Sequence, residues 1–170
     1  GHEIDTAALI APRIEPELAF VLRDDLSGTD TTVDDVLAAT DYVLPSMEVI
    51  DSRIADWKIT LIDTIADNAS CASIVLGEQR IDPREVDLTA VAVDLLIDGE
   101  AAQSGTGDAV LGHPARAVAW LANALGAFGV TLEAGEVVMS GSITAAVPLE
   151  AGARVRADFG EAGDVEVTVR

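Results

Sequence analysis

Ile14-Glu15-Pro16-Glu17-Leu18-Ala19-Phe20-Val21-Leu22 is an apolar run interrupted by two carboxylates with one residue between them. The run reads as a β-strand, in which residues i and i+2 share a face, so Glu15 and Glu17 point the same way. Two carboxylates on one face of so apolar a strand repel each other and lose hydration. Two readings resolve this. A bound cation removes both penalties, and hard divalent ions such as Mg²⁺ take carboxylate oxygens, which makes the pair two thirds of a metal site. Alternatively the run is an edge strand with one wet face, an arrangement that Pro16 tolerates.

Working outward, Thr32 precedes Val33-Asp34-Asp35-Val36-Leu37-Ala38-Ala39, and Asp35 three residues on makes a capping-box variant that predicts a helix ending near Asp41. Val43–Ile50 reads as a second strand, with Glu48 a lone carboxylate among apolar neighbours. Asp51 to Trp57 reads as a short helical or irregular connection, and Ala66–Cys71 as a turn leading into a strand at 72–76. Leu88–Ile97 alternates and is rich in Val, and Asp98-Gly99 after it signals a hairpin turn. Ser104-Gly105-Thr106-Gly107 reads as a loop. Pro114 then opens a second helix whose apolar positions Val118, Leu121, Ala122, Leu125 and Phe128 fall at helical spacing, with Gly129 past its end. Candidate strands at 136–140, 145–149, 153–159 and 165–169 complete an α+β pattern of mostly antiparallel strands with two helices.

At 170 residues the chain reads as one domain, 1–170, with enough length to bury a core. Aromatics make up only 4%, so that core is built from Val, Ile, Leu and Ala. A net charge of −20 repels nucleic acid and anionic membrane surfaces, which excludes both as partners. It also repels an anionic substrate unless a metal reverses the sign locally. Acid excess with a single lysine, Lys58, suits a salt-rich milieu in which counterions screen the self-repulsion. No apolar stretch reaches the length of a membrane span, no signal peptide opens the chain, and one cysteine, Cys71, forms no internal disulfide, a set that fits a cytoplasmic protein. The start, Gly1-His2-Glu3, lacks an initiator methionine and reads as a processed or trimmed beginning.

Several stretches occur together in one order: Arg13-Ile14-Glu15-Pro16-Glu17, Leu44-Pro45-Ser46-Met47-Glu48-Val49, Ala66-Asp67-Asn68-Ala69-Ser70, Leu111-Gly112-His113-Pro114 and Ser140-Gly141-Ser142. As an ordered set they resemble the 2-keto-4-pentenoate hydratases of the fumarylacetoacetate hydrolase superfamily. The sibling 4-oxalocrotonate decarboxylases share these motifs, and Ser52-Arg53-Ile54-Ala55-Asp56-Trp57-Lys58-Ile59 looks more like the hydratase version. The resemblance implies a rolled, mostly antiparallel sheet of the fumarylacetoacetate hydrolase C-terminal type, with peripheral helices. It implies Mg²⁺ or Mn²⁺ held by Glu15, Glu17 and Glu48. It implies hydration of a 2-hydroxy-2,4-dienoate, through its 2-oxo-3-enoate tautomer, to a 4-hydroxy-2-oxo acid in ring-cleavage catabolism. It also implies a homo-oligomer, and a possible complex with a downstream aldolase or the sibling decarboxylase.

By the same resemblance Ser70 is a catalytic serine touching substrate, and Ser140-Gly141-Ser142 a substrate-binding loop whose glycine lets the backbone come close. Each has a plain alternative: a turn serine satisfying backbone groups, and an ordinary tight turn. His113 is expected to cap the Pro114 helix, Lys58 to be a surface charge and Cys71 a small core residue. The family's lysine motif and following aspartate, its acid/base groups, match nothing in this chain. The domain is therefore expected to lack the family's N-terminal segment, which leaves an inactive fragment or structural subunit as a third reading beside hydratase and decarboxylase.

Overall fold

In the computed structural model, residues 2–170 are described. Two five-stranded sheets carry the fold. The first has the order β1 (His2–Ile4), β10 (Asp164–Val169), β9 (Arg154–Asp158), β5 (Ala92–Ile97), β6 (Glu100–Thr106). The second has the order β4 (Cys71–Leu76), β3 (Thr40–Ile50), β2 (Arg13–Leu22), β7 (Val137–Met139), with β8 (Val147–Pro148) also on β2. All pairings are antiparallel except β1 on β10. The expected α+β, rolled and mostly antiparallel architecture is the observed one. Ile14, Leu18, Phe20, Met47 and Val49 of the second sheet share one core with Val93, Leu95, Val155, Val165 and Val167 of the first.

The long β2–β3 pair organises the molecule. Glu15 lies opposite Glu48, and Glu17 opposite Ser46. The edge-strand reading of β2 fails, because β3 flanks one side and β7 and β8 the other. Pro16 is accommodated differently. β8 pairs only with Arg13 and Ile14, and β7 only with Ala19 to Val21, so Pro16 falls in the gap between them. Its carbonyl accepts the Ile143 N–H on that side, at 3.0 Å, and its missing N–H points into the same gap.

Among the described residues there are three α-helices rather than two: α1 (Val33–Ala39), α2 (Leu61–Ala66) and α3 (Pro114–Gly126). α1 has the expected Thr32–Asp35 capping box, but it stops at Ala39 and β3 begins at once with Thr40. α2 carries the same box on Thr60 and Asp63, yet buries no residue, and Leu61, Ile62 and Ile65 are exposed. α3 buries Ala115, Val118, Ala119 and Ala122, with Leu121 and Leu125 against the core. Phe128 does not join that face. The helix ends before it, Gly129 turns left-handed at φ 74, and the ring stands in solvent. His113 caps α3, its Nδ1 accepting the Ala115 N–H at 3.1 Å, as expected.

Two other expectations are corrected. Ser104 to Thr106 are not loop but the end of β6, paired with Ala92 to Asp94. The strand expected from Leu88 starts only at Ala92, because Asp87 accepts both the N–H and the hydroxyl of Thr89 and folds 87–90 into a turn. No described helix is long and apolar enough to cross a membrane.

Candidate metal centre

Strand alternation sets Ile14, Pro16 and Leu18 into the core and Arg13, Glu15 and Glu17 onto the opposite face of β2. The β2–β3 register then places Glu48 beside this pair. One carboxylate oxygen from each of Glu15, Glu17 and Glu48 lies within 4.8 Å of the other two. Glu17 is 1% exposed, while Glu15 and Glu48 are half-buried.

The gap beside Pro16 gives these acids their remaining neighbours. Ser140 N–H donates to the Leu18 carbonyl and Ile143 N–H to that of Pro16, so the two residues between them bow out of the sheet. Gly141 takes φ 97, a left-handed conformation that glycine adopts freely, and its N–H donates to Glu17 Oε2 at 2.8 Å. The Ser142 hydroxyl donates to the Thr144 carbonyl, and its oxygen lies near enough to Glu15 to lower that acid's proton affinity. Gly141 and Ser142 therefore meet the glutamates. Ser140 does not: its hydroxyl turns to the Gly141 carbonyl at 3.3 Å. Ser70, buried at the head of β4, donates its hydroxyl to Asp67 at 3.3 Å and no hydrogen bond joins it to the glutamates.

Burial, and then the neighbouring Glu48 carboxylate, push Glu17 up to about 8; the same two causes push Glu15 up to about 7. Such a group of acids is costly in itself and needs protons or a cation. Three hard oxygen donors with other positions open suit a divalent ion of the Mg²⁺ or Mn²⁺ type. Cys71 is not a core residue as expected. Its thiol is half-buried near Glu48, and burial followed by that carboxylate raises it to about 11. No sequence signal pointed there, because nearness to Glu48 depends on the β3–β4 register and its irregularity at Ile50. A cleft of about 760 Å³ between residues 79–94 and 158–162 is lined by none of these residues.

The raised values fix the pH response. Both acids bind protons more tightly when folded than at the ordinary carboxylate value of 4.5, so their stabilising effect is full below that value and is lost as pH rises through 7 to 8. Thermal melts of the metal-free chain are expected to fall in Tm between pH 5 and 9. Saturating Mn²⁺ at pH 8.5 should restore about 5–10 °C, the effect of ligand at roughly 100 times Kd on a domain of this size. A Tm that is flat with pH and indifferent to Mn²⁺ would contradict this account of the three acids.

Residues 4–170 match the sequence profile of the fumarylacetoacetate (FAA) hydrolase C-terminal family. The chain is 55% identical over 151 residues to 2-hydroxyhexa-2,4-dienoate hydratase of Comamonas testosteroni, covering 89% of this chain and 57% of that protein. It is 53% identical over 122 residues to 2-hydroxypent-2,4-dienoate hydratase of Pseudomonas putida, covering 72% and 55% respectively. Among solved structures, 4-oxalocrotonate decarboxylase from Pseudomonas putida G7, complexed with magnesium and adipate, superposes with a TM-score of 0.97 at 40% identity, covering 100% of this chain and 65% of that one. The chain thus spans a little over half the length of the two curated relatives.

Proposed function

The chain belongs to the fumarylacetoacetate hydrolase C-terminal family, and from that premise we propose that it is the metal-binding part of a hydro-lyase that adds water to a 2-hydroxy-2,4-dienoate. The substrate passes through its 2-oxo-3-enoate tautomer, and water added at C4 gives a 4-hydroxy-2-oxo acid. The observation that carries this reading is the convergence of Glu15, Glu17 and Glu48 with the Gly141–Ser142 turn, in a chain whose hydratase relatives are 53–55% identical.

In this reading the three glutamates hold a divalent ion, Mg²⁺ or Mn²⁺. When bound, it supplies Lewis acidity to the 2-oxygen of the substrate and offsets the charge of the acids. Gly141 fixes one Glu17 oxygen through its N–H, so that carboxylate is aimed before any ligand arrives. Ser142 lies beside Glu15, with its hydroxyl turned to the Thr144 carbonyl. Ser140, Gly141 and Ser142 form the substrate-binding turn, and Ser70, at the head of the strand whose first residue lies near Glu48, is the candidate catalytic hydroxyl. Assembly into a homo-oligomer, alone or with an aldolase or decarboxylase partner, belongs to the same proposal and is read by sedimentation with and without that partner.

A second reading, 4-oxalocrotonate-type decarboxylation, is favoured by the close superposition on a decarboxylase. One experiment separates the two. The chain is incubated with Mn²⁺ and either 2-hydroxypenta-2,4-dienoate or 4-oxalocrotonate, and products are followed by NMR. The 4-hydroxy-2-oxo acid is expected from the first, with loss of turnover on chelation. Release of CO₂ from the second without hydration of the first supports the decarboxylase. Neither product, at a metal concentration that saturates the site, makes the chain a structural portion and overturns the proposal of catalysis.

A further inference from the structure

Asn68, Ala69 and Ser70 take φ 53, 55 and 61, the longest run of left-handed non-glycine residues among those described. Asn tolerates this region, whereas in Ala and Ser the Cβ crowds the following carbonyl, and such residues persist there only where their surroundings fix them. Elsewhere in the chain a bend of this kind has a packing reason. Asp56 and Trp57, at φ 57 and 55, bring the indole N–H to the Ala11 carbonyl at 2.9 Å and the ring centroid to 4.7 Å from the Arg13 guanidinium. The 68–70 turn carries no such side chain inward. Asn68 and Ala69 are exposed, and the residue it buries is Ser70, 1% exposed.

That serine is held on every side. Its N–H donates to the Asp67 carbonyl at 2.8 Å, and its carbonyl accepts the Asp51 N–H at 2.7 Å. Its hydroxyl donates to Asp67 Oδ2 at 3.3 Å, rather than to the backbone groups that an ordinary turn serine serves. Asp67 is itself clamped. Its carboxylate, in a side chain only 10% exposed, accepts the Arg53 N–H at 3.1 Å and meets the Arg53 guanidinium at 3.3 Å. That guanidinium also donates to the Asp67 and Asp51 carbonyls, at 3.2 and 3.4 Å. A carboxylate paired with a guanidinium only accepts, so the serine hydrogen is committed to it and the serine oxygen offers lone pairs alone to any other partner. Ser70 immediately precedes Cys71, whose thiol lies near Glu48, so the turn adjoins the three acids through its chain neighbour.

We propose that Asp67, braced by Arg53, is a positioning residue that keeps the Ser70 hydroxyl turned so that its oxygen accepts a hydrogen bond from an O–H at the reacting centre. This rests on the reading of Ser70 as the catalytic hydroxyl given above, and it names the groups that aim that hydroxyl and the direction of its hydrogen. The chemistry has a use for an acceptor there. The 2-hydroxyl of the dienol and the water that adds at C4 each bring an O–H that must give up its proton. An oxygen whose own hydrogen is tied elsewhere holds such a group without competing to donate. The left-handed turn fits the same task. Closed by one ion pair, it sets the hydroxyl before any ligand arrives, so little rotamer freedom remains to be lost on binding.

The test follows turnover of 2-hydroxypenta-2,4-dienoate by the Mn²⁺-loaded chain, with Mn²⁺ affinity and Tm read for each variant. Asp67→Asn keeps the shape of the side chain. It is expected to lower kcat about ten- to a hundredfold, the worth of one hydrogen bond to a charged group, with KM and Mn²⁺ affinity held within about twofold. Ser70→Ala should lower kcat to a similar extent. The double variant should be no slower than the slower single one, because both changes disable one device. Arg53→Gln removes the brace and keeps the carboxylate, so a smaller loss in kcat alone is expected, and it decides the matter should Asp67→Asn not fold. Parental kcat in folded Asp67→Asn, parental kcat in Arg53→Gln, or losses that multiply in the double variant overturn the inference, since a merely structural Asp67 would act independently of Ser70. Ser70→Ala at the parental rate instead overturns the reading of Ser70. Absence of turnover by the unaltered chain overturns the proposed hydration, and either result takes the inference with it.

Discussion

Glu17→Gln is expected to weaken divalent-metal binding by well over 100-fold and, at the same time, to stabilise the metal-free chain at alkaline pH. The two effects share one cause. Glu17 is 1% exposed and is held with a raised proton affinity by burial first and by Glu48 second. Glutamine keeps the shape and can still accept the Gly141 N–H at the oxygen that now takes it, so the turn should stay where it is. What it removes is a charge that the fold does not solvate. Each tenfold change in proton affinity is worth about 1.4 kcal/mol, so a rise from 4.5 to about 8 corresponds to relief on the order of 5 kcal/mol at pH 9, and the fall in Tm with rising pH should flatten. On the proposed assignment the change removes a metal ligand outright, a larger loss than the roughly 10–100-fold that follows removal of an outer partner. Mn²⁺ titrations read the first effect and melts at pH 5 and 9 read the second. A variant that still binds Mn²⁺ as the parent does would falsify the assignment of Glu17 to the metal, whatever its melts show.

That the three acids could be singled out from the sequence, and their neighbours only in part, follows from what a period of two encodes. Alternation says which side chains share a face, so Glu15 and Glu17 could be paired before any fold was known. Glu48 stood out as a carboxylate in an apolar run, but its place opposite Glu15 is a matter of β2–β3 register, which pattern alone does not set. The strand ends of the expected fold were sound where alternation was regular. They failed at Leu88–Val91, where Asp87 offered the backbone a local turn instead of a ladder. α2 went unseen because its apolar residues do not face the core, although the Thr60–Asp63 box that starts it repeats the Thr32–Asp35 signal that was recognised. The Arg13–Trp57 contact joins two segments through a left-handed bend at Asp56 and Trp57, and nothing in a sequence of non-glycine residues announces such a bend. Cys71 shows the same limit in small: a thiol next to an acid looks in sequence like any small core residue.

Gly107→Ala is expected to cost about 3 kcal/mol of stability, the upper part of the range for overpacking a core, and to lower Tm by about 6–12 °C for a domain of this size. Read from sequence, Ser104-Gly105-Thr106-Gly107 is a loop. In the structure both glycines are there because another backbone comes close. A Cβ on Gly105 would sit 2.6 Å from the Ile143 carbonyl, and one on Gly107 would sit 2.0 Å from that of Leu88. Gly107 is buried, and Leu88, 1% exposed, is anchored in the core. The 88–91 segment is further tied to the glycine turn by hydrogen bonds from Gly107 N–H to Val91 O and from Asp108 N–H to Thr89 O. Neither side can yield without breaking these. Alanine does restrict the unfolded chain, which stabilises by about 0.4–1 kcal/mol, too little to offset the clash. Gly126→Ala makes a useful contrast. Its Cβ would come even nearer to a carbonyl, 1.7 Å from that of Gly28, but Gly28 lies in an exposed loop that can move outward. Gly107→Ala should therefore be the more damaging of the two in chemical denaturation, despite the longer distance. The reverse order would mean that the 23–31 loop, held to α3 by the paired hydrogen bonds between Asn123 and Thr31, is the more rigid partner. Gly105→Ala should act differently again. It pushes on Ile143, next to Ser142 and two residues from Gly141, so its effect should appear in Mn²⁺ affinity more than in Tm, linking a glycine of the first sheet to the acids of the second.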